Sequence, residues 1–246
     1  MSSTSSVDTG ALFAAVFGGQ LEELERLLGT GVQVENVVDV YGDSLLHAAA
    51  SGGNVEVVRL ILDSEGGMRL LDRPNNDGKT PLHYAYSANA TAELLTRGAD
   101  GNAVDNDLRT PLHLASLAGA RDVVETLAKH GVELNNLDRY NRNAMHFAAG
   151  IKPEDQDVAI LKLLLDGGAS VSVQEGDITA LHLATRSNWL EAANLLLDHG
   201  ADVNVLDMDC RTVLLIAIQE SFIDLVKLFV SYGAAVNKKE AARLHV

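Results

Sequence analysis

Five histidines recur along this chain at wide, similar intervals: His47, His83, His113, His146 and His182. Imidazole can ligate zinc or serve as a general base, so these are the first residues to test for chemistry. Each lies inside a copy of one short phrase, spaced 36, 30, 33 and 36 residues apart. Stacked helical copies sit about 8–10 Å apart, whereas zinc draws its ligands to about 2 Å from one ion. The spacing therefore assigns the five histidines a structural role. Cys210 is the single cysteine, beside Arg211. A neighbouring cation lowers a thiol pKa, but a nucleophile also needs a convergent base, and no histidine is placed to be one. The chain has no His-Glu-x-x-His pair, no Gly-Lys-Ser/Thr phosphate loop and no Gly-x-Ser-x-Gly elbow. The expectation is a protein that is not an enzyme, with no catalytic residue, no metal site and no cofactor.

The phrase itself decides more. It reads Ser44-Leu45-Leu46-His47-Ala48-Ala49, then Thr80-Pro81-Leu82-His83-Tyr84-Ala85 and Thr110-Pro111-Leu112-His113-Leu114-Ala115. Looser copies begin at Asn143, Thr179 and Thr212, and a faint one at Gly10, giving intervals of 34, 36, 30, 33, 36 and 33 residues. Self-similarity at such a period marks a stack of supersecondary units, each too thin to bury its own apolar face.

One copy shows how the unit is built. Thr110 precedes a short helix, where a hydroxyl can accept from an orphan N–H, and Pro111 takes the first helical position, where its missing N–H costs nothing. Leu112 and Ala115 face inward, and Gly119 turns the chain. A second helix follows, with Val123, Val124, Leu127 and Ala128 as its apolar stripe, and Gly131 closes it. Gly31, Gly98, Gly168, Gly200 and Gly233 close the other second helices. Five residues before each Thr-type position stands Asp39, Asn75, Asp105, Asp138, Gln174 or Asp207, residues that favour tight turns. The polar connection thus reads as a hairpin-like finger.

Taken together, Thr-Pro-Leu-His and Gly200-Ala201-Asp202-Val203-Asn204 at their proper offset resemble the ankyrin repeat family over about residues 10 to 237. The resemblance implies an all-α solenoid of about seven helix-turn-helix units with β-hairpin fingers, a family used for protein–protein binding. It also implies that the motif histidines bond backbone atoms linking adjacent copies. The expected organisation is a disordered head at 1–9, a repeat domain at 10–237 with units starting near 10, 44, 80, 110, 143, 179 and 212, and a tail or partial unit at 238–246. Within the family, the chain is similar both to gankyrin-type proteasome assembly chaperones and to inhibitors of the NF-kappa-B type. A third possibility is the ankyrin part of a larger channel, kinase or membrane-skeleton protein.

Departures from the repeat carry their own expectations. The third interval of 30 residues predicts a second helix cut to about Ala90–Thr96. Extra residues at 63–74 follow the second unit's helices, and Lys152–Asp157 predicts an exposed acidic loop. The seventh unit replaces histidine with Leu215 and has a very apolar first helix. Either Lys238–Val246 covers it or something docks there. The first unit reads as a cap, because Glu22, Glu23, Glu25 and Arg26 alternate with Leu21, Leu24, Leu27 and Leu28. Trp189, between the helices of the sixth unit, reads as a packing residue.

The partner-binding expectation rests on the fingertips and the ends of the first helices. The residue before each Thr-type position is Asp43, Lys79, Arg109, Arg142, Ile178 or Arg211, a mostly basic row suited to an acidic segment. Arg139 adds a charge, while Asp43, Asp77, Asp107, Glu175 and Asp209 balance the row. Tyr41, Tyr140 and Met208 on the fingers, with Leu117 and Arg186 at variable first-helix positions, suggest a partly apolar groove. The partner expected is a protein with an acidic or apolar segment. A net charge of −15 disfavours nucleic acid and anionic membranes. A cytoplasmic or nuclear setting is expected from the single cysteine and the lack of a signal peptide at the start, and the chain is expected to be a monomer.

Overall fold

The computed structural model describes residues 9–150, 158–174 and 178–235. The head expected at 1–9, the acidic loop expected at Lys152–Asp157, Gln174's neighbours 175–177 and the tail beyond 235 therefore lie outside the described residues, except that Thr9 already opens a helix. Thirteen α-helices occur among the described residues, six successive pairs and one helix preceded by a 3-10 turn. They are α1 (Thr9–Phe17) and α2 (Leu21–Leu28), α3 (Leu45–Gly52) and α4 (Val55–Asp63), α5 (Ala88–Thr96), α6 (Pro111–Leu117) and α7 (Arg121–Lys129). Then follow α8 (Ala144–Gly150) and α9 (Ala159–Asp166), α10 (Ala180–Arg186) and α11 (Leu190–Asp198), α12 (Val213–Gln219) and α13 (Ile223–Ser231).

The chain forms two compact bodies, Met1–Ala115 with Asp122–Val132, and Ser116–Arg121 with Glu133–Val246. In the first, α3 packs between α1 and a 3-10 turn at Pro81–Tyr84, while α4 packs on α5. In the second, α10 lies between α8 and α12, and α11 between α9 and α13. Helices of seven to nine residues are too short to persist alone, so burial must hold them. Leu45, Leu46, Val57, Val58 and Ile61 are fully buried in the first body, and Leu164, Leu181, Leu196, Leu225 and Phe229 in the second. Each such side chain contributes about 1.5–3 kcal/mol. Small alanines between them (Ala49, Ala50, Ala148, Ala149, Ala184, Ala192, Ala193) let the helix axes close up. Trp189 is buried as a packing residue.

One expectation about the irregular segments needs correction. The third unit keeps a full second helix, α5, and shortens the first to the single turn Pro81–Tyr84. The starts of the two helices are ten residues apart at Pro111 and Arg121 but seven apart at Pro81 and Ala88. Ser87 accepts the amide of Ala90 at 3.2 Å and starts α5 there, leaving room for one turn before it. Ser87 is consequently a cap of the second helix. The extra segment at 63–74 is also folded: Gly67–Leu70 forms a 3-10 turn that buries Leu70, followed by buried Leu71. Arg69 pairs with Glu35 at 2.9 Å and Arg73 donates to the Glu35 carbonyl, tying the segment to the preceding connection.

Candidate protein-binding surface

The five copies that carry the histidine open with the same lock. The cap residue's N–H donates to Nδ1 of the histidine three residues on, at 3.0 Å for Ser44 and His47, 3.1 Å for Thr80 and His83, and 3.0 Å for Thr110 and His113. Weaker versions occur at Asn143–His146 (3.4 Å) and Thr179–His182 (3.3 Å). With Nδ1 accepting, Nε2 carries the hydrogen, and it donates onward to a carbonyl of the next finger: Lys79 from His47 at 2.9 Å, Arg109 from His83 at 2.9 Å, Ile178 from His146 at 3.3 Å. His182 faces the Arg211 carbonyl, yet its Nε2 falls outside hydrogen-bond geometry. Burial holds the pKa of His47, His83, His146 and His182 below the ordinary imidazole value. These rings are therefore neutral, and those of His47, His83 and His146 couple one copy to the next. Among the described residues no three His, Cys, Asp or Glu side chains gather in a way that could hold a metal ion.

The fingers that these histidines secure are tight hairpins. Asp39, Asn75, Asp105, Asp138 and Asp207 each donate their N–H to the carbonyl four residues on. The residue three along takes a left-handed backbone: Gly42 and Gly78 in two fingers, but Leu108, Asn141 and Cys210 in the others, with φ of 61°, 61° and 54°. In the first body neighbouring fingers are stitched together, since the Asn76 amide donates to the Tyr41 carbonyl at 3.0 Å and the Asn106 amide to that of Asp77 at 2.9 Å. Among the described residues β pairing is slight, as in the isolated bridge between Val38 and Ser44.

The acidic turn residue does more than start the hairpin. Asp105 Oδ1 accepts the amides of Asp107 and Arg109, both at 2.9 Å, while Oδ2 takes Arg109 Nε at 2.9 Å and a terminal guanidinium nitrogen at 2.8 Å. Asp138 holds Tyr140 and Arg142 amides and the Arg142 guanidinium in the same way, at 2.7–2.9 Å. Asp207 repeats the clasp with Arg211 and adds Arg186 at 3.2 Å. Burial raises these carboxyl pKa values, but the arginine and amide hydrogen bonds outweigh it and hold all three below the ordinary aspartate value. Sequence reasoning noted both residues separately and missed the pairing. Its signal was present in the recurring Asp-x-x-x-Arg at 105–109, 138–142 and 207–211.

The fingers without an arginine behave differently. Asp39 accepts the amides of Tyr41 (2.8 Å) and Asp43 (2.9 Å), and Asp43 accepts Asn75 Nδ2 at 2.6 Å. Lys79 lies 3.6 Å from Asp77 and 5.6 Å from the centroid of Tyr84. Arg139 is exposed, and Glu175 lies outside the described residues.

Several of the side chains left open on the fingers are apolar. In the first body Val40 and Tyr41 stand 85% and 69% exposed at one tip. In the second, Tyr140 and Met208 are exposed at two tips, with Leu117 exposed at the end of α6. Arg142 sits over the Tyr140 ring at 5.0 Å and over Phe147 at 4.6 Å, which fixes the tyrosine's approach without burying it. A second concavity of the C-terminal body lies on its outer helices: a recess of about 640 Å³ lined by Val158, Leu190, Leu195 and Leu228, with Glu191 and Asp224 among its polar groups.

Comparison with known proteins agrees with this geometry. A family model described as ankyrin repeats (3 copies) matches residues 12–105, 86–174 and 151–240. The chain is 36% identical over 222 residues to the B-cell lymphoma 3 protein homolog of Mus musculus, across 87% of this chain and 42% of that protein. It is 30% identical over 221 residues to the nuclear factor NF-kappa-B p105 subunit of Gallus gallus, across 86% of this chain and 22% of that one. It thus spans less than half the length of these curated relatives. Among solved structures, the ankyrin repeat domain of Bcl-3, titled a unique member of the IkappaB protein family, superposes with a TM-score of 0.68 at 25% identity, over 88% of this chain and 97% of that one. That of human ASB11 gives 0.75 at 25% identity, over 92% and 99%. On the family match, the relatives and the coupled helix pairs together, this chain belongs to the ankyrin repeat family.

Proposed function

We propose that the chain is a non-enzymatic interaction module, an adaptor, scaffold or regulatory inhibitor, that holds a protein partner against its fingertips. The observation that carries this reading is the set of exposed apolar tips on fingers clamped from within: Val40 and Tyr41 in one body, Tyr140 and Met208 in the other. Rigid aromatic anchors lose little entropy on binding, so they suit contact residues. Arg109, Arg142 and Arg211 spend their guanidinium groups on buried aspartates. Their role in this reading is to hold the tips, and the partner segment is apolar rather than acidic. Asp43, Lys79, Leu117, Arg139 and Arg186 form the polar and apolar surroundings.

Of the family-level alternatives, the regulator of NF-kappa-B type has the support of relatives: the B-cell lymphoma 3 proteins, the p105 subunit and the IkappaB-family structure. A role inside a longer polypeptide is the second reading, motivated by the 42% share of the mouse relative that the chain spans. A cytoplasmic or nuclear setting fits both, and no helix among the described residues is long and apolar enough to cross a membrane.

The test uses purified NF-kappa-B subunits in titration calorimetry against the wild-type chain, Y41S/Y140S/M208S, and the outer-recess variant L190S/L195S. Loss of binding in the fingertip variant with circular dichroism unchanged is expected. Binding retained there and lost in the outer variant would move the binding face to the recess between α11 and α13.

A further inference from the structure

The last helix pair ends in a stacking face of the kind that every interior copy buries. In the sixth copy His182, Thr185 and Leu197 are 0%, 0% and 6% exposed, covered by α12 and α13. Their counterparts 33 residues on are Leu215, Ile218 and Val230, exposed by 38%, 53% and 53%. Phe222 and Val226, counterparts of buried Trp189 and Ala193, are half-buried. The open face is thus fully apolar at five positions. A terminal repeat that met water would carry polar side chains there. The motif departure at Leu215 fits the same picture, because Leu215 stands where a histidine would otherwise reach for a following finger.

The backbone leaves this pair as it leaves interior ones. In three of the four Gly-Ala-x exits the amide of the third residue donates to a side chain of the preceding copy: Asp100 to Asp72 at 3.0 Å, Ser170 to Asn135 at 2.7 Å, and Ala235 to Asn204 at 2.7 Å. In the first two cases the chain goes on to a finger and a helix. Beyond Ala235 the sequence offers a further copy of the phrase. Leu244-His245-Val246 follows Leu214-Leu215-Ile216 by 30 residues, the interval that separates Leu82-His83-Tyr84 from Leu112-His113-Leu114.

We propose that this face is a docking site for the chain's own Lys238–Val246, which carries an eighth copy of the repeat phrase and lays Leu244 and Val246 on Leu215 and Ile218. Charge complementarity favours this occupant over a second copy of the chain. Lys238, Lys239 and Arg243 against Glu240 give the segment a net charge of 3 − 1 = +2, and it meets a face edged by the exposed carboxylates Asp209 and Glu220, which share one neighbouring cation, Arg211. Pairing two such faces would instead bring like carboxylates together.

The test keeps the chain whole. A photo-crosslinking residue at position 244, irradiated in the monomer fraction, should label peptides containing Leu215 or Ile218. The variant L244D/V246D should abolish nothing in far-ultraviolet circular dichroism but speed amide exchange in α12 about tenfold, the surplus left when burial of two aliphatic side chains outweighs ordering of the segment. Crosslinks elsewhere, or unchanged exchange in α12, would overturn the assignment. So would crosslinks between two copies with concentration-dependent mass in sedimentation, an outcome that gives the face to a second chain. Because neither readout uses a binding partner, failure here leaves the fingertip reading standing.

Discussion

Replacing Asp105 with asparagine isolates the charge of one finger clasp. Asparagine keeps an Oδ1 that can accept the amides of Asp107 and Arg109, as Asn75 does in its own finger for Asp77 at 3.0 Å and Lys79 at 2.9 Å. What changes is the other atom: an amide nitrogen, itself a donor, would face Arg109 Nε and its terminal nitrogen, now 2.9 and 2.8 Å from the carboxylate. The aspartate side chain is 1% exposed and the arginine 23%, so solvent screens the pair weakly. Breaking a fully buried pair costs about 3–5 kcal/mol, and a hydrogen bond to a charged group is worth about 1.5–3 kcal/mol. Arg109 retains Asp107 at 3.2 Å, which places the loss at the lower end, about 2–3 kcal/mol. The assay is urea unfolding followed by circular dichroism, with D105N, R109A and the double variant closing a cycle. A coupling energy of at least about 1 kcal/mol is expected. D105N within about 0.5 kcal/mol of wild type, or a coupling near zero, would refute the claim that the arginine is a structural brace. The sign with pH follows from the lowered Asp105 pKa: the stabilisation is present above the ordinary carboxylate value and disappears as pH falls through the folded one, so D105N should flatten the acid limb below about pH 4.

The motif histidines carry a separate pH signature. Burial lowers the folded pKa of His47, His83, His146 and His182, so unfolding midpoints should be level above about pH 6.5 and fall as pH drops below it. Midpoints that rise on acidification would contradict neutral Nδ1-accepting rings. At the fingertip turn, Gly78→Ala should lose at least about 1–2 kcal/mol, because φ is +78° and the new Cβ would stand 2.8 Å from the Asn106 amide nitrogen. The reverse change at the equivalent position, Leu108→Gly with φ 61°, should be neutral or stabilising by up to about 1 kcal/mol; thermal melts of the two variants decide it. Trp189 is the single tryptophan and is buried in the C-terminal body, so its fluorescence should follow unfolding of that body, and Trp189→Ala should cost about 3–5 kcal/mol in the same transition. A fluorescence transition unmoved by that body's core substitutions, such as Leu196→Ala, would count against it.

Much of the molecule was readable from residue order because a repeat states its rules several times. The period, the cap-histidine phrase and the closing glycines specify local backbone states and the pairing of short helices, and local bonds enforce them: Thr110 and His113 are three residues apart, and Gly131 supplies the φ of 74° that ends α7. Sequence also exposed the irregular copies, but not which helix would give way. The missing three residues of the third copy fell on the first helix because Ser87 caps the second, a competition between two local signals that spacing cannot rank. The surface was less legible still. Charges along the fingertips read as a basic row, yet three of those arginines turn back onto aspartates four residues earlier. Whether a guanidinium meets solvent or a buried carboxylate depends on side-chain direction and desolvation, which only the folded hairpin sets. The same holds for the apolar residues: Leu215 and Ile218 look like core in one dimension, and it is the absence of a covering layer among the described residues that leaves them at the surface.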